Sequence, residues 1–287
     1  MGGAGAAAGS GVAGAAGMAV SIAGSSGAAA GSGGAAVAGS GGAAGAAAGS
    51  GGSPAVGSCA TWPTATGTQM VAQTIAVSGT YDGKLKRFAG TGALGGGGQD
   101  EDQGPIFDLA NGATLKNVIL GAPAADGVHC NGSCTLENVW WEDVGEDAAT
   151  LKGSSSSQMM KISCGGARHA SDKVFQHNGP GTMVIQNFQA EDFGKLYRSC
   201  GNCSSQHERH VEIRDVTVKS GGTLAGINTN YNDTARFQNI TLHDTAMKTK
   251  ICDRFTGNST GAEPTKTGSG ADGKYCLYAD SDLHWVQ

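Results

Sequence analysis

The chain has 287 residues, 50 of them glycine, with only 15% charged residues and a formal net charge of −5. That acidic balance excludes nucleic acid as the partner. It also rules out steering of a polyanion by the global field, so any anion site has to be a local basic cluster.

From the N-terminus, residues 1–57 are almost wholly Gly, Ala and Ser, and the first charged residue of the chain is Asp82. Such a segment lacks the apolar side chains needed to offset about 1–2 kcal/mol of backbone ordering per residue. It reads as a disordered low-complexity linker, with a silk-like or anchoring segment as the alternative. Met18–Ala23 is too short and too interrupted to cross a bilayer, so no membrane span is expected. No basic region followed by an apolar stretch is visible, which places any signal peptide upstream of this sequence. The run Gly95–Gly98 lacks the Gly-Lys-Ser/Thr ending of a phosphate loop and reads as an ordinary loop.

Residues 58–287 read as a single domain built from a repeat. The phrases Leu115-Lys-Asn-Val118, Leu136-Glu-Asn-Val139, Met159-Met-Lys-Ile162, Ile185-Gln-Asn-Phe188, Ile213-Arg-Asp-Val216 and Phe237-Gln-Asn-Ile240 start 21 to 28 residues apart. A unit of that length is too short for two packed helices. It buries its apolar face only against its neighbours, which predicts an all-β fold, a right-handed parallel β-helix. The asparagines at 117, 138, 187 and 239 are expected to form a hydrogen-bonded turn ladder. Of Trp140 and Trp141, one should enter the core and the other flank the groove as a packing residue.

Counting from each repeat start places Asp126, Asp147 beside Glu146, Lys173, Lys195 and Asn228 at offsets of 10 to 15 residues, hence on one groove across successive coils about 4.8 Å apart. Asp126, Glu146 and Asp147 form a hard-oxygen cluster suited to calcium. Lys173, Lys195 and Arg198 form a basic half, and a substrate bearing carboxylates resolves the repulsion between those bases and a divalent ion. His129, His177 and His210 read as structural. The eight cysteines, an even number, suggest disulfides and an oxidising compartment. Zinc is the rival reading for Cys200 and Cys203, which are followed by His207 and His210.

In Ala125–Cys130, Glu137–Lys152, Asp172–Gly179, Asp192–Cys203 and Gly226–Tyr231, the chain resembles the family-three pectate lyases of fungi and bacteria, from about Thr74 to about Cys252. It departs from that pattern at Asn232, where the family usually has glycine. The resemblance implies a β-helix that cleaves polygalacturonate with calcium held by Asp126, Glu146 and Asp147. Lys173 falls on the family's proposed base and Glu101 on a position that assists catalysis. Lys195 and Arg198 fall on substrate-contacting bases.

The expected chemistry is β-elimination with Lys173 as base, its pKa lowered by Lys195, Arg198 and calcium, and with Arg198 clamping the developing charge. Lys152, Asn228 and Asn230 complete the expected substrate-binding set. The leaving group would take its proton from water or from Glu101. A secreted monomer is expected. The rivals are a pectin hydrolase using Glu146 and Asp147 as acid and base, and a non-catalytic polyuronate-binding solenoid.

Overall fold

A computed structural model describes residue 59, residues 61–99 and residues 102–286; the linker expected at residues 1–57 lies outside them. Parallel pairing dominates, and each strand bonds to the one a coil earlier. One run passes through Thr68–Val71, Thr80–Gly90, Ala113–Leu120, Cys134–Trp141, Met159–His177, Gly181–Ser199, Arg209–Asn228 and Thr234–His243. A second run of short strands, Ile75–Val77, Phe107–Leu109, Val128–Cys130 and Ala149–Leu151, feeds into the later part of Met159–His177. This is the expected parallel β-helix. Among the described residues the antiparallel pairing joins Lys250–Thr256 to Thr265–Ser269.

The repeat reads directly in the register. Leu115, Leu136, Ile162, Ile185, Ile213 and Phe237 stack in one column, and all are buried. The third phrase is therefore out of phase in the sequence reading: its start is Ile162, not Met159, which is 45% exposed. The cause is Gly165, which occupies the slot of Val118 and Val139 and hides the second apolar residue. A Cβ there would lie 2.1 Å from the Val139 carbonyl oxygen, so the slot excludes any larger residue.

Between those two columns every coil bends at one residue with positive φ: Asn117 (53°), Asn138 (56°), Cys164 (62°), Asn187 (50°), Asp215 (54°) and Asn239 (54°). Asn and Asp tolerate the left-handed region because their short polar side chains bond locally. Here they bond from coil to coil. Asn117 Nδ2 donates to Asp82 Oδ1 at 2.9 Å, Asn138 Nδ2 to Asn117 Oδ1 at 2.8 Å, and Asn239 Nδ2 to Asp215 Oδ1 at 2.6 Å. Where the ladder carries cysteine instead, Cys164 is bonded to Cys59. Asn232, the departure from the family pattern, has φ 63°, the conformation that glycine takes freely and asparagine accepts.

Inside the coils, Trp141, Phe175 and Phe188 pack in sequence, with ring centroids 5.9 and 5.3 Å apart. Trp140 points to the other face and is also buried, because Trp62 covers it at 4.9 Å and its Nε1 donates to Asn138 Oδ1. It packs under the chain that leads from Cys59 and does not flank the site. All eight cysteines are paired: Cys59–Cys164, Cys130–Cys134, Cys200–Cys203 and Cys252–Cys276. The Cys200–Cys203 bond removes both thiolates that the zinc reading needs.

Replacing Asn138 with Ala removes two hydrogen bonds and leaves a Cβ residue without local compensation at positive φ. A loss of about 1–3 kcal/mol is expected, and Asn138→Gly should cost less. Thermal or denaturant unfolding of the two variants measures the difference.

Candidate active site

Asp126, Asp147, Lys173 and Lys195 occupy one column. Each lies two residues before a member of the paired run Val128, Ala149, Phe175 and Tyr197, and Lys195 pairs directly with Lys173. With the third repeat rephased, Asp126, Asp147 and Lys173 all stand eleven residues after their coil's start. A tight corner presents the first acid: Ala125 has φ 48° and Gly127 φ 46°. A Cβ on Gly127 would meet the Ala148 carbonyl oxygen at 2.2 Å. The Glu146 amide donates to the Ala125 carbonyl at 2.9 Å, clamping the coil that carries Glu146 and Asp147 against the coil that carries Asp126.

One ligand oxygen from each of Asp126, Glu146 and Asp147 lies within 4.8 Å of the others, and all three residues are buried. Burial drives the Asp147 pKa well above the carboxylate range. Lys173 opposes that rise, and Glu146 and Asp126 add to it. Asp126 Oδ1 and Asp147 Oδ1 are buried and make no hydrogen bond. Three clustered carboxylates with two such oxygens fit a divalent cation that prefers oxygen, and calcium accepts an irregular shell of this kind.

Lys173 projects into the same cluster. Its Nζ lies 3.1 Å from Glu146 Oε1, 3.6 Å from Asp147 Oδ1 and 3.0 Å from Asp172 Oδ2. Burial alone would lower its pKa, but Asp147, Glu146 and Asp172 outweigh burial and hold it above the ordinary lysine value. This corrects the expectation that Lys195 and Arg198 depress it. The amine sits among acids, and Asp172 stands between the two lysines, accepting from Lys195 Nζ at 2.6 Å. Burial pulls the Asp172 pKa up, but hydrogen bonds from Lys195 and Lys173 win and keep it low. Sequence reasoning passed over Asp172, although its position immediately before Lys173 was the available signal.

Arg198 lies one coil below Gln176 in register and is 8% exposed. Its guanidinium rests 4.2 Å from the Phe255 ring centroid, and its Nη1 donates to Asn228 Oδ1 at 3.2 Å. Asn228 is wholly buried. The column position on its coil belongs to Thr223, which pairs with Lys195, and Asn228 lies five residues further on. Its Nδ2 donates to the Cys200 carbonyl at 2.9 Å, so it props Arg198 from inside instead of facing a ligand. Asn230 exchanges two hydrogen bonds with the Gly257 backbone. Lys152 is exposed, with its Nζ 3.2 Å from His129 Nδ1. Glu101 lies outside the described residues. His177 is fully buried against the Tyr197 hydroxyl, and burial, reinforced by Arg209, lowers its pKa to about 3. His210 meets Thr234 Oγ1 at 2.8 Å.

The family model described as pectate lyase matches residues 59–261. Pectate lyase E of Emericella nidulans is 46% identical over 219 residues, covering 76% of this chain and 84% of the relative. Probable pectate lyase F of Aspergillus terreus is 48% identical over 207 residues, covering 72% and 87%. Among solved structures, the catalytic domain of pectate lyase PelI from Erwinia chrysanthemi superposes with a TM-score of 0.63 at 32% identity, covering 77% of this chain and 98% of that one. PelI in complex with tetragalacturonic acid gives a TM-score of 0.63 at 31% identity, covering 81% and 72%.

Because the folded Asp147 carboxyl holds its proton more tightly than the unfolded one, the metal-free protein loses stability as pH rises from about 4 toward that raised value. Asp147→Asn removes the crowded charge and should raise the neutral-pH melting temperature of chelator-treated protein by a few degrees, or about 1 kcal/mol. A lower melting temperature would mean that attraction to Lys173 outweighs the crowding.

Proposed function

The chain belongs to the pectate lyase family, and we propose on that premise that it is a calcium-dependent enzyme cleaving α-1,4-polygalacturonate by β-elimination to 4,5-unsaturated oligogalacturonides. The observation that carries this reading is the column in which Asp126, Asp147, Lys173 and Lys195 succeed one another on adjacent coils. A relative that holds tetragalacturonic acid supports the substrate class. The catalytic domain is residues 58–287. It acts as a monomer, a reading supported by a site assembled from the coils of one chain, and it is secreted, a reading supported by four disulfides.

In this mechanism Asp126, Glu146 and Asp147 hold the ion. Calcium, when bound there, supplies positive charge that offsets the acids holding a proton on Lys173 and that stabilises the charge growing on the substrate carboxylate as its α-proton leaves. Lys173 Nζ takes that proton from C5, and only its neutral form does so. Asp172 steadies the amine and occupies Lys195 Nζ until a substrate carboxylate takes its place. Arg198, over the Phe255 ring and anchored by Asn228, presents a planar fork to a carboxylate at little further entropic cost. The leaving oxygen takes its proton from water or from Glu101.

A hydrolase reading is weaker, because Glu146 and Asp147, the acid and base it would need, are bunched together in one cluster and both lie against Lys173. A merely binding solenoid would hold polygalacturonate with calcium yet release no unsaturated product, which the incubation below distinguishes.

Incubation with polygalacturonate should produce rising ultraviolet absorbance from a conjugated product, abolished by chelator and restored by calcium. New reducing ends without absorbance would instead indicate hydrolysis. Lys173→Ala should lower turnover by about 10²–10⁴-fold while leaving calcium binding intact. Because only the neutral Lys173 amine takes the proton and an ordinary lysine pKa is about 10.4, turnover of the calcium-loaded wild type should climb with pH on the alkaline side. A profile flat from neutral to alkaline pH would remove Lys173 from the role of base.

A further inference from the structure

We propose that His129 is a positioning residue for the metal ligand Asp126, holding one carboxylate oxygen so that the other faces the ion. The inference rests on the calcium reading above. His129 is 8% exposed, and its Nε2 lies 2.5 Å from Asp126 Oδ2. A carboxylate oxygen only accepts, so Nε2 donates the proton the two share. The Lys152 ammonium lies against the same ring, 3.2 Å from Nδ1 and 3.3 Å from Nε2. Lys152, expected among the substrate-binding residues, thus packs against the histidine that holds Asp126.

The consequence falls on the other oxygen. Asp126 Oδ1 is buried and makes no hydrogen bond, in a cluster shared with Glu146 and Asp147. A buried carboxylate with one oxygen tied and the other bare is poised for a cation. The next coil repeats the pattern more loosely. Thr150 pairs in register with His129, stands three residues after its own acid, and places Oγ1 3.5 Å from Asp147 Oδ2, while Asp147 Oδ1 makes no hydrogen bond. The same i to i+3 support on two adjacent coils forms an outer layer that sets the angle of both ligands.

The test is calcium binding to the full chain by titration calorimetry, with the melting temperature of the chelated protein as a folding control. His129→Ala should weaken calcium affinity by about 10–100-fold. His129→Phe, which keeps a ring but has no donor, should weaken it similarly and serves if the alanine variant is unfolded. His129→Gln, whose amide can still donate to Asp126, should stay within a few-fold of wild type. Wild-type affinity in the folded alanine or phenylalanine variant overturns the proposal. So does a glutamine variant as weak as the phenylalanine one, since the ring would then be acting through its shape alone. A wild-type chain that binds no calcium sinks the metal reading and this proposal together, and is told apart from the other outcomes by that first titration.

Discussion

Parallel, in-register pairing between successive coils is the constraint from which the rest follows. Each strand bonds to residues about two dozen positions earlier, so side chains from distant stretches of sequence are brought to about 4.8 Å along a column. One column stacks the aliphatic core from Leu115 to Phe237, another the left-handed asparagines, and a third Asp126, Asp147, Lys173 and Lys195. A slip of one residue in any coil would move an acid out of the site and an aliphatic side chain out of the core at once. Stability and chemistry therefore depend on the same register. The asparagine ladder and the Cys59–Cys164 bond, which sits on that ladder, hold it at the bends.

That coupling explains why so much was legible in the sequence. A periodic fold writes its geometry as spacing, so the β-helix and the stack of acids above bases could be counted out. The errors arose where one coil broke the local pattern. Gly165 in a valine slot shifted the third phrase by three residues, and after Ile213 the column position falls on Thr223, ten residues on as for Lys195, and not on Asn228. The side-chain partners of Lys173 were less accessible. Spacing placed it among bases by coil order, whereas side-chain reach took its amine to Glu146 and Asp172. The fate of Trp140 was hidden for a different reason: it depends on Trp62, outside the repeat.

The acids and the lysine share a single charge balance. Three buried carboxylates would repel one another strongly, and the Lys173 ammonium relieves that repulsion in the metal-free protein. The same attraction raises the lysine pKa and so opposes the base role proposed for it. A dication in the cluster relieves both problems, satisfying the carboxylates and weakening their hold on the ammonium proton. On the proposed mechanism, the acids that make the metal-free site a compensated cluster also hold the proton that Lys173 must give up before it can act.

On the other flank, Arg198 depends on a buried framework that extends to the following coils. Asp233 accepts hydrogen bonds from the backbone amides of Arg209 and Asn228, each at 2.9 Å. Arg209, itself fully buried, donates to the carbonyls of Asn178 and Gly179. Asn228 holds Arg198 with its oxygen and the Cys200 carbonyl with its nitrogen, next to the Cys200–Cys203 bond. A guanidinium embedded in this way gives up little freedom on meeting an anion, because the ordering cost has already been met in folding. Asn228 in the block after Gly226 therefore serves Arg198 from beneath, since a buried cation and its carbonyl neighbours require satisfied partners.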